Sequence, residues 1–422
     1  MFRYAVSLLT AAIVSAQPAP PAKKAPPTEV AGIHVNYDES QTGTYTLPDP
    51  LKLANGKPVR DVKTWTSQRR PELVRIFEEN QYGRAPERPA KMHFEVSEKS
   101  ASALDGKATR RQVTIYFQPG NDGPHMDLLI YLPAGATKPV PLLLNLGFGA
   151  NASAVDDTGI KLGEIWNARE KKKVPAARTG VFGRTNVAPI LAKGFGWATF
   201  YYGDIEPDFI GGTGMGIRPA QPAPEEWGAI AAWAWGISRA IDYFETDREV
   251  DAKRIAIMGV SRLGKTVMWA GARDTRVAAV IASCSGEGGA ALSRRIYGET
   301  IAHLVAPTRY PYQFAANYAK WANDPREAPV DAHELIALLA PRPVLLQTGS
   351  EDGWSDPKGE FLAAVAAEPV YKLFGKQGLR TTEWPAAGTP ILHDIAYFMH
   401  AGGHGTLPSD WDVFMKFLEM HL

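Results

Sequence analysis

Short apolar runs alternate with amphipathic stretches along most of the chain. Continuous apolar or alternating runs predict strands, whereas apolar positions that recur every three or four residues predict helices that bury one face. Strands separated by helical segments favour an α/β fold, with a mostly parallel sheet covered on both faces and an antiparallel edge at its start. The predicted strands are 112–117, 126–131, 141–146, 197–202, 277–283 and 343–348, and the predicted helices are 69–81, 187–193, 225–246 and 410–421.

The strongest local signal lies at the end of an apolar run that begins at Ile255. The run stops in Gly259-Val260-Ser261-Arg262-Leu263-Gly264, and a helical pattern follows at once. This G-x-S-x-x-G pattern is a relative of the nucleophile elbow, a sharp strand-to-helix turn that lifts a serine hydroxyl above the sheet. The two glycines provide room for the turn, and the helix N-terminus offers backbone N–H groups to a developing oxyanion. The pattern therefore predicts Ser261 as a nucleophile.

A serine nucleophile needs a base, and His404 has the most suitable place in the sequence. In α/β-hydrolases the chain order is serine, acid, histidine, with the histidine on a late loop. His404 lies in a glycine-rich stretch just ahead of the last predicted helix. His393 and His400 are close by, but they occupy an apolar stretch where a structural histidine is the commoner outcome. We therefore predict that His404 is the base.

The acid of such a triad has two candidates. Asp352 follows the predicted strand 343–348 in a G-x-x-D arrangement, and it is the first choice because an acid at that strand tip can reach the histidine ring. Asp356, before Pro357, is more typical of a turn or a helix cap. Glu287, after the preceding strand, is the alternative acid, although a charged loop residue or a substrate contact would explain it equally simply.

The composition of the chain limits the partners, the location and the domain organisation that we expect. The chain has 422 residues, 45% of them hydrophobic, and a formal net charge of +1, which gives no reason to expect nucleic acid or an anionic membrane as a partner. Residues 1–16 predict a signal peptide, with a disordered start or a short anchor as the alternatives, and 17–30 predict a flexible Pro/Lys-rich leader. Residues 31–422 then form a single catalytic domain. Cys284 is the only cysteine, so an intrachain disulfide is impossible. We expect an exported, soluble monomer.

The chain resembles the glucuronoyl esterases, carbohydrate esterase family fifteen of the α/β-hydrolase superfamily, and it is similar to the bacterial members. That family carries a G-C-S-R-x-G-K elbow, which here reads Gly259-Val260-Ser261-Arg262-Leu263-Gly264-Lys265. The resemblance implies an α/β-hydrolase fold, a three-layer αβα sandwich. It also implies cleavage of the ester between 4-O-methyl-glucuronate on xylan and lignin alcohols. Further matches in the same order lie at 69–72, 82–84, 202–204, 226–228, 298–300, 333–335, 340–343 and 351–354.

The resemblance also implies roles for four residues near the predicted triad. Arg262 would direct its guanidinium at the oxyanion, where negative charge develops in the transition state. Lys265, Glu299 and Trp354 match positions that hold the uronate sugar through hydrogen bonds and aromatic packing. Without the resemblance, the two cations would be read as solvated charges and Trp354 as loop packing.

The chain departs from the family pattern at two positions. Many members carry the acid twenty-three residues beyond the serine, a place that Cys284 occupies here, so the resemblance moves the acid role to Asp352. Val260 replaces the cysteine that usually precedes the nucleophile and can form a disulfide with the histidine loop. This second departure concerns stability rather than chemistry.

Together these features predict a serine esterase that acts on glucuronoxylan–lignin esters through Ser261, His404 and Asp352. One alternative is an acetyl-xylan esterase or a general carboxylesterase, and another is a catalytically idle carbohydrate-binding homologue. Neither a metal-ligand motif such as H-E-x-x-H nor a phosphate-binding glycine loop is present in the sequence. We therefore expect no cofactor and no metal.

Overall fold

A nine-stranded sheet forms the centre of the protein in a computed structural model, which describes residues 26–179, 184–221, 223 and 226–422. The order across the sheet is β9-β8-β7-β6-β4-β5-β3-β2-β1. Neighbours from β9 to β5 run parallel, and β3, β2 and β1 add an antiparallel edge. The strands are β1 (His93–Ser102), β2 (Ala108–Tyr116), β3 (His125–Pro133), β4 (Val140–Asn145), β5 (Gly196–Phe200), β6 (Val250–Val260), β7 (Ala279–Ser283), β8 (Val344–Gly349) and β9 (Ile395–His400).

Helices cover both faces of this sheet. Successive residues of a strand point to opposite faces, so Leu142 and Leu144 of β4 join one hydrophobic cluster and Leu143 joins the other. The larger cluster contains buried side chains of α1, α3, α4, α6 and α7, and the smaller one contains buried side chains of α2 and α8. The fold is therefore a three-layer α/β-hydrolase sandwich. The helices are α1 (Arg70–Phe77), α2 (Ala188–Ala192), α3 (Ala229–Phe244), α4 (Arg262–Arg273), α5 (Ile301–Val305), α6 (Ala332–Ala337), α7 (Pro357–Leu373) and α8 (Asp410–His421).

The predicted elements agree with this architecture, and most differ only at their ends. Helix α8 has the predicted bounds, whereas α1 is flanked by wider π-type turns at Trp65–Arg69 and Glu78–Tyr82. The sequence patterns missed the edge strand β1, the outermost strand β9 and helices α5, α6 and α7.

The start of the chain is only partly described. The predicted signal peptide and residues 17–25 of the predicted leader lie outside the described residues. Glu29 and Val30, the last residues of that leader, instead pair with Ile33 and His34 in a small antiparallel hairpin, because the turn between them brings their backbones together. In the part of the chain that the structure describes, we find no helix with the length and apolar character needed to cross a membrane.

Candidate active site

Ser261 lies at the sharp turn between β6 and α4. Its backbone is strained, with φ 59° and ψ −126°, which is unusual for a residue with a side chain. The two glycines make the turn possible: a Cβ on Gly259 would lie 2.2 Å from the Leu263 carbonyl oxygen, and one on Gly264 would lie 2.8 Å from that of Ser283. The predicted elbow is therefore present as a strand, a strained serine and a helix.

His404 and Asp352 meet above the carboxyl end of the sheet. The loop after β8 carries Asp352 and the loop between β9 and α8 carries His404, and Nδ1 of the ring lies 2.6 Å from Oδ2 of the carboxylate. The imidazole is 43% exposed, whereas the carboxyl side chain is 3% exposed. Burial alone would raise the pKa of Asp352, but hydrogen bonds and the charge of His404 outweigh it and lower that pKa. Asp352 is thus an ionised partner for the ring at neutral pH.

One cavity of about 310 Å³ gathers the predicted residues. Parallel strands bring their carboxyl ends to one edge of the sheet, so the loops after β6, β7, β8 and β9 converge there. Seven of the eight predicted functional residues line this cavity, and the exception is the alternative acid Glu287. Its walls are formed by Ser261, Arg262, Lys265, Cys284, Glu299, Leu304, Arg309, Tyr310, Gln313, Asp352, Trp354, Ser355 and His404.

Arg262, the first residue of α4, extends its guanidinium along the cavity wall. Nη1 donates a hydrogen bond to Oδ2 of Asp208, and the guanidinium carbon lies 4.7 Å from the centre of the Tyr310 ring. The side chain keeps 26% of its surface exposed. A cation at this wall is suited to an anionic or strongly polar group in the cavity.

Lys265, Glu299 and Trp354 also line the cavity. Lys265 Nζ donates to the Ser285 carbonyl oxygen at 2.7 Å and lies 3.9 Å from Oε2 of Glu299. Burial lowers the pKa of Lys265, and the charge of Glu299 opposes that effect. The backbone N–H of Glu299 donates to the Trp354 carbonyl oxygen at 2.9 Å, which ties the Glu299 backbone to the indole-bearing loop. These groups offer charged hydrogen-bond partners beside an aromatic face.

Comparisons with known proteins identify the family of this chain. The family model "Glucuronyl esterase, fungi" matches residues 222–375. The carbohydrate esterase MZ0003 of an unknown prokaryotic organism is 44% identical over 400 residues, which cover 92% of this chain and 92% of that protein. The chain belongs to the glucuronoyl esterases of carbohydrate esterase family 15. As a member of that family it is a carboxylic ester hydrolase.

Solved structures of the family match the fold over nearly the whole chain. The glucuronoyl esterase of Solibacter usitatus is 47% identical, with a TM-score of 0.86 over 91% of this chain and all of that one. A structure described as a promiscuous family 15 esterase from a marine bacterial metagenome is 43% identical, with a TM-score of 0.85 over 92% of this chain and all of that one. A 4-O-methyl-glucuronoyl methylesterase of Phanerochaete carnosa is 27% identical over 97% of this chain and 87% of its own length.

Glu287, the alternative acid, does not approach His404. Its Oε1 accepts hydrogen bonds from Ser293 Oγ at 2.6 Å and from Tyr318 Oη at 2.7 Å, and the residue is 3% exposed. Burial raises the pKa of Glu287 to about 8. The side chain turns into the protein because these two hydroxyls satisfy it there, so the geometry leaves Asp352 as the carboxylate beside the imidazole.

Cys284 lies beside the pair formed by Asp352 and His404. Its Sγ, a carboxylate oxygen of Asp352 and a ring nitrogen of His404 all lie within 4.8 Å of one another. Burial raises the pKa of the thiol to about 12, so the group remains protonated at neutral pH. It receives a hydrogen bond from the Gly405 N–H at 3.2 Å. A neutral thiol therefore lies next to the imidazole and the carboxylate.

Two neighbouring residues behave as the sequence predicted for structural groups. His400 is buried in β9 and bonds Asp410 through Nδ1 at 2.8 Å, and its Nε2 lies 2.9 Å from the Gly403 carbonyl oxygen. Asp356 caps α7 by accepting a hydrogen bond from the Gly359 N–H at 3.0 Å.

The sequence patterns did not predict the cavity wall formed by Arg309, Tyr310 and Gln313. Arg309 donates to Glu299 Oε1 at 2.9 Å, and its guanidinium carbon lies 4.7 Å from the Tyr310 ring centre and 5.3 Å from that of Trp354. Gln313 follows in the same irregular segment and contacts Asp208. This segment has no helical or strand periodicity, and no motif spacing in the chain points to it.

Proposed function

We propose that this enzyme hydrolyses the ester between (4-O-methyl-)glucuronic acid of glucuronoxylan and lignin alcohols. The observation that carries the proposal is that one cavity brings together a strained serine, an imidazole paired with a carboxylate, and a charged wall with an aromatic face. The names of relatives such as the Phanerochaete carnosa methylesterase support a 4-O-methyl-glucuronoyl substrate.

In the proposed acylation step, Ser261 attacks the C6 carbonyl carbon of the uronate ester. His404 accepts the hydroxyl proton, and Asp352 holds the ring through Nδ1 so that the other nitrogen is available to the serine. The tetrahedral intermediate collapses when His404 gives that proton to the departing alcohol oxygen. Water then attacks the acyl-enzyme with His404 again as base, which releases the uronic acid and restores Ser261.

Arg262 stabilises the oxyanion in this proposal. The N–H of Ser261 donates to the Ser283 carbonyl oxygen at 2.8 Å and so is committed to the fold. Arg262 begins α4, where the first N–H groups lack intrahelical partners, and its side chain adds a cation on the same cavity wall. Donors fixed in place before the charge develops are the main source of stabilisation in acyl transfer.

Lys265, Glu299 and Trp354 would bind the sugar. Nζ of Lys265 and the carboxylate oxygens of Glu299 can bond ring hydroxyls that an acetyl group lacks. Trp354 is half-buried, and its exposed part can pack on a sugar face. These contacts would therefore distinguish uronate esters from small acyl esters.

A broader esterase is the second candidate, because one relative at 43% identity is described as promiscuous. In that case Ser261, His404 and Asp352 would serve simple carboxylic esters as well, and the charged wall would contribute little.

Two variants test the proposal. Ser261→Ala should abolish turnover of both benzyl glucuronate and an acetyl ester. Glu299→Gln should lower kcat/KM for benzyl glucuronate by about 10- to 100-fold, since a hydrogen bond to a charged group is lost, and leave the acetyl ester within about 2-fold. Glu383→Gln, an exposed glutamate, is the matched control. Equal losses on both esters would contradict sugar recognition by Glu299, and full activity of Ser261→Ala would contradict the mechanism.

We also propose that the protein is exported, to the periplasm or beyond, as a monomer. The proposal is supported by the basic start, apolar run and small-residue cleavage site within residues 1–16. A polymeric substrate that cells do not take up intact is consistent with that location.

A further inference from the structure

Asp208 collects four hydrogen-bond donors beneath the cavity wall. Oδ1 accepts from Tyr312 Oη at 2.8 Å and from Gln313 Nε2 at 2.7 Å. Oδ2 accepts from Tyr202 Oη at 2.8 Å and from Nη1 of Arg262. The carboxyl side chain is 6% exposed and is not among the residues that line the cavity. A nearly buried carboxylate with this many donors has a fixed orientation.

Arg262 is restrained from two sides. One Nη group bonds Asp208, and the plane of the guanidinium lies near the Tyr310 ring. The guanidinium has five N–H donors in a rigid fork, so a bond through Nη1 determines where the remaining donors point. Without such an anchor, a long side chain with 26% exposure would sample several rotamers in the cavity.

We propose that Asp208 is a positioning residue that aims the Arg262 guanidinium at the oxyanion. The proposal rests on the function proposed above, because it assumes that Arg262 stabilises negative charge on the carbonyl oxygen. Asp208 does not line the cavity, so in this proposal it acts through Arg262 and not on the substrate. It fixes Arg262 before the reaction, so that no reorganisation is needed when the charge develops.

The same carboxylate links the guanidinium to the cavity wall. Tyr312 and Gln313 donate to Oδ1, and both follow Tyr310, whose ring faces Arg262. Asp208 therefore sets the distance between Arg262 and the segment that carries Arg309 and Tyr310. Residues from three separate parts of the chain thus meet at one carboxylate, which fixes the position of the cation against the cavity.

A double-mutant cycle tests the proposal. Asp208→Asn keeps the shape but loses the charge that holds Arg262, and we expect kcat to fall about 10- to 100-fold with KM changed by less than about 3-fold. Arg262→Ala should cost about 100- to 1000-fold, as the loss of an oxyanion donor does in other acyl-transfer enzymes. In the Arg262→Ala background, Asp208→Asn should change kcat by less than about 2-fold, because its effect passes through that side chain.

Glu206→Gln is the matched control. Glu206 lies two residues before Asp208 and forms a buried ion pair with Arg218 at 2.8 Å, without contacting Arg262. We expect it to lower the melting temperature without lowering kcat of the folded protein. Where Asp208→Asn fails to fold, Tyr312→Phe removes one donor to the carboxylate and should lower kcat by about 2- to 5-fold only when Arg262 is present.

Asp208→Asn with wild-type kcat, or an equal loss in both backgrounds, would overturn the proposal, since either result assigns Asp208 a purely structural role. The cycle uses whichever ester the wild-type protein turns over faster. A preference for acetyl esters would therefore contradict the uronate assignment and leave the test of Asp208 intact.

Discussion

At the scale of single residues, the carboxyl groups in and near the candidate site differ in their surroundings and in their charge. Asp352 keeps its charge beside His404, whereas Glu287 is buried between hydroxyls and has a pKa of about 8. The sequence favoured Asp352 because its carboxyl follows a strand tip. It could not exclude Glu287, since a loop glutamate shows no sign of the direction in which its side chain turns. No sequence pattern pointed to Asp208, because the residues that it contacts come together only in the folded protein.

Asp352→Asn should lower kcat by about 100- to 10,000-fold, as the loss of the negative charge allows the wrong tautomer of the imidazole. Glu383→Gln, at an exposed site, provides a control and should stay within about 2-fold of wild type. The measurement is kcat on the ester that wild type prefers. Retention of more than about a tenth of kcat in Asp352→Asn would show that another group orients His404.

At the scale of elements, burial decided which strands the sequence predicted. Strands β4, β7 and β8 are buried by helices on both faces, so they appear as continuous apolar runs. Strand β1 is an edge strand whose residues are exposed or half-buried. Its sequence mixes polar and apolar residues, so it shows no clear strand pattern. Helix α7 was missed although it spans seventeen residues, because Pro369 interrupts its interior pattern.

The irregular elements mark the boundary of what the sequence could predict. The elbow could be predicted because a side chain at position 259 or 264 would clash with backbone atoms. The turn therefore requires glycine at both positions, and glycines are visible in the sequence. The wall formed by Arg309, Tyr310 and Gln313 is defined by side-chain contacts to distant residues. Such contacts impose no spacing along the chain, so only the three-dimensional structure shows them.

At the scale of the whole molecule, buried carboxyl groups link stability to pH. Burial raises the pKa of Glu287 to about 8, whereas the pKa of a glutamate in the unfolded chain is about 4.3. Between these values the folded state holds a proton that the unfolded state has released. The contribution of this group to the free energy of unfolding therefore decreases as pH rises from about 4.3 to 8, by at most about 1.4 kcal/mol per pH unit.

Glu287→Gln removes this titration and can still accept the hydrogen bonds from Ser293 and Tyr318. Relative to wild type, its free energy of unfolding should rise by about 3 to 4 kcal/mol between pH 5 and pH 8, measured by denaturant unfolding at both values. Glu383→Gln changes the same group at the surface and should show no such trend. A difference between Glu287→Gln and wild type that stays constant with pH would show that Glu287 is already ionised in the folded protein.

We propose that the cavity around Ser261 accepts uronate esters. The most direct test of this proposal is kcat/KM of the purified protein for benzyl glucuronate, beside an acetyl ester under the same conditions. We predict a clearly higher value for the uronate ester, because only that substrate can bond Lys265 and Glu299. Turnover of the acetyl ester alone would contradict the substrate assignment while keeping the serine esterase, and no turnover of either ester would contradict the proposed function.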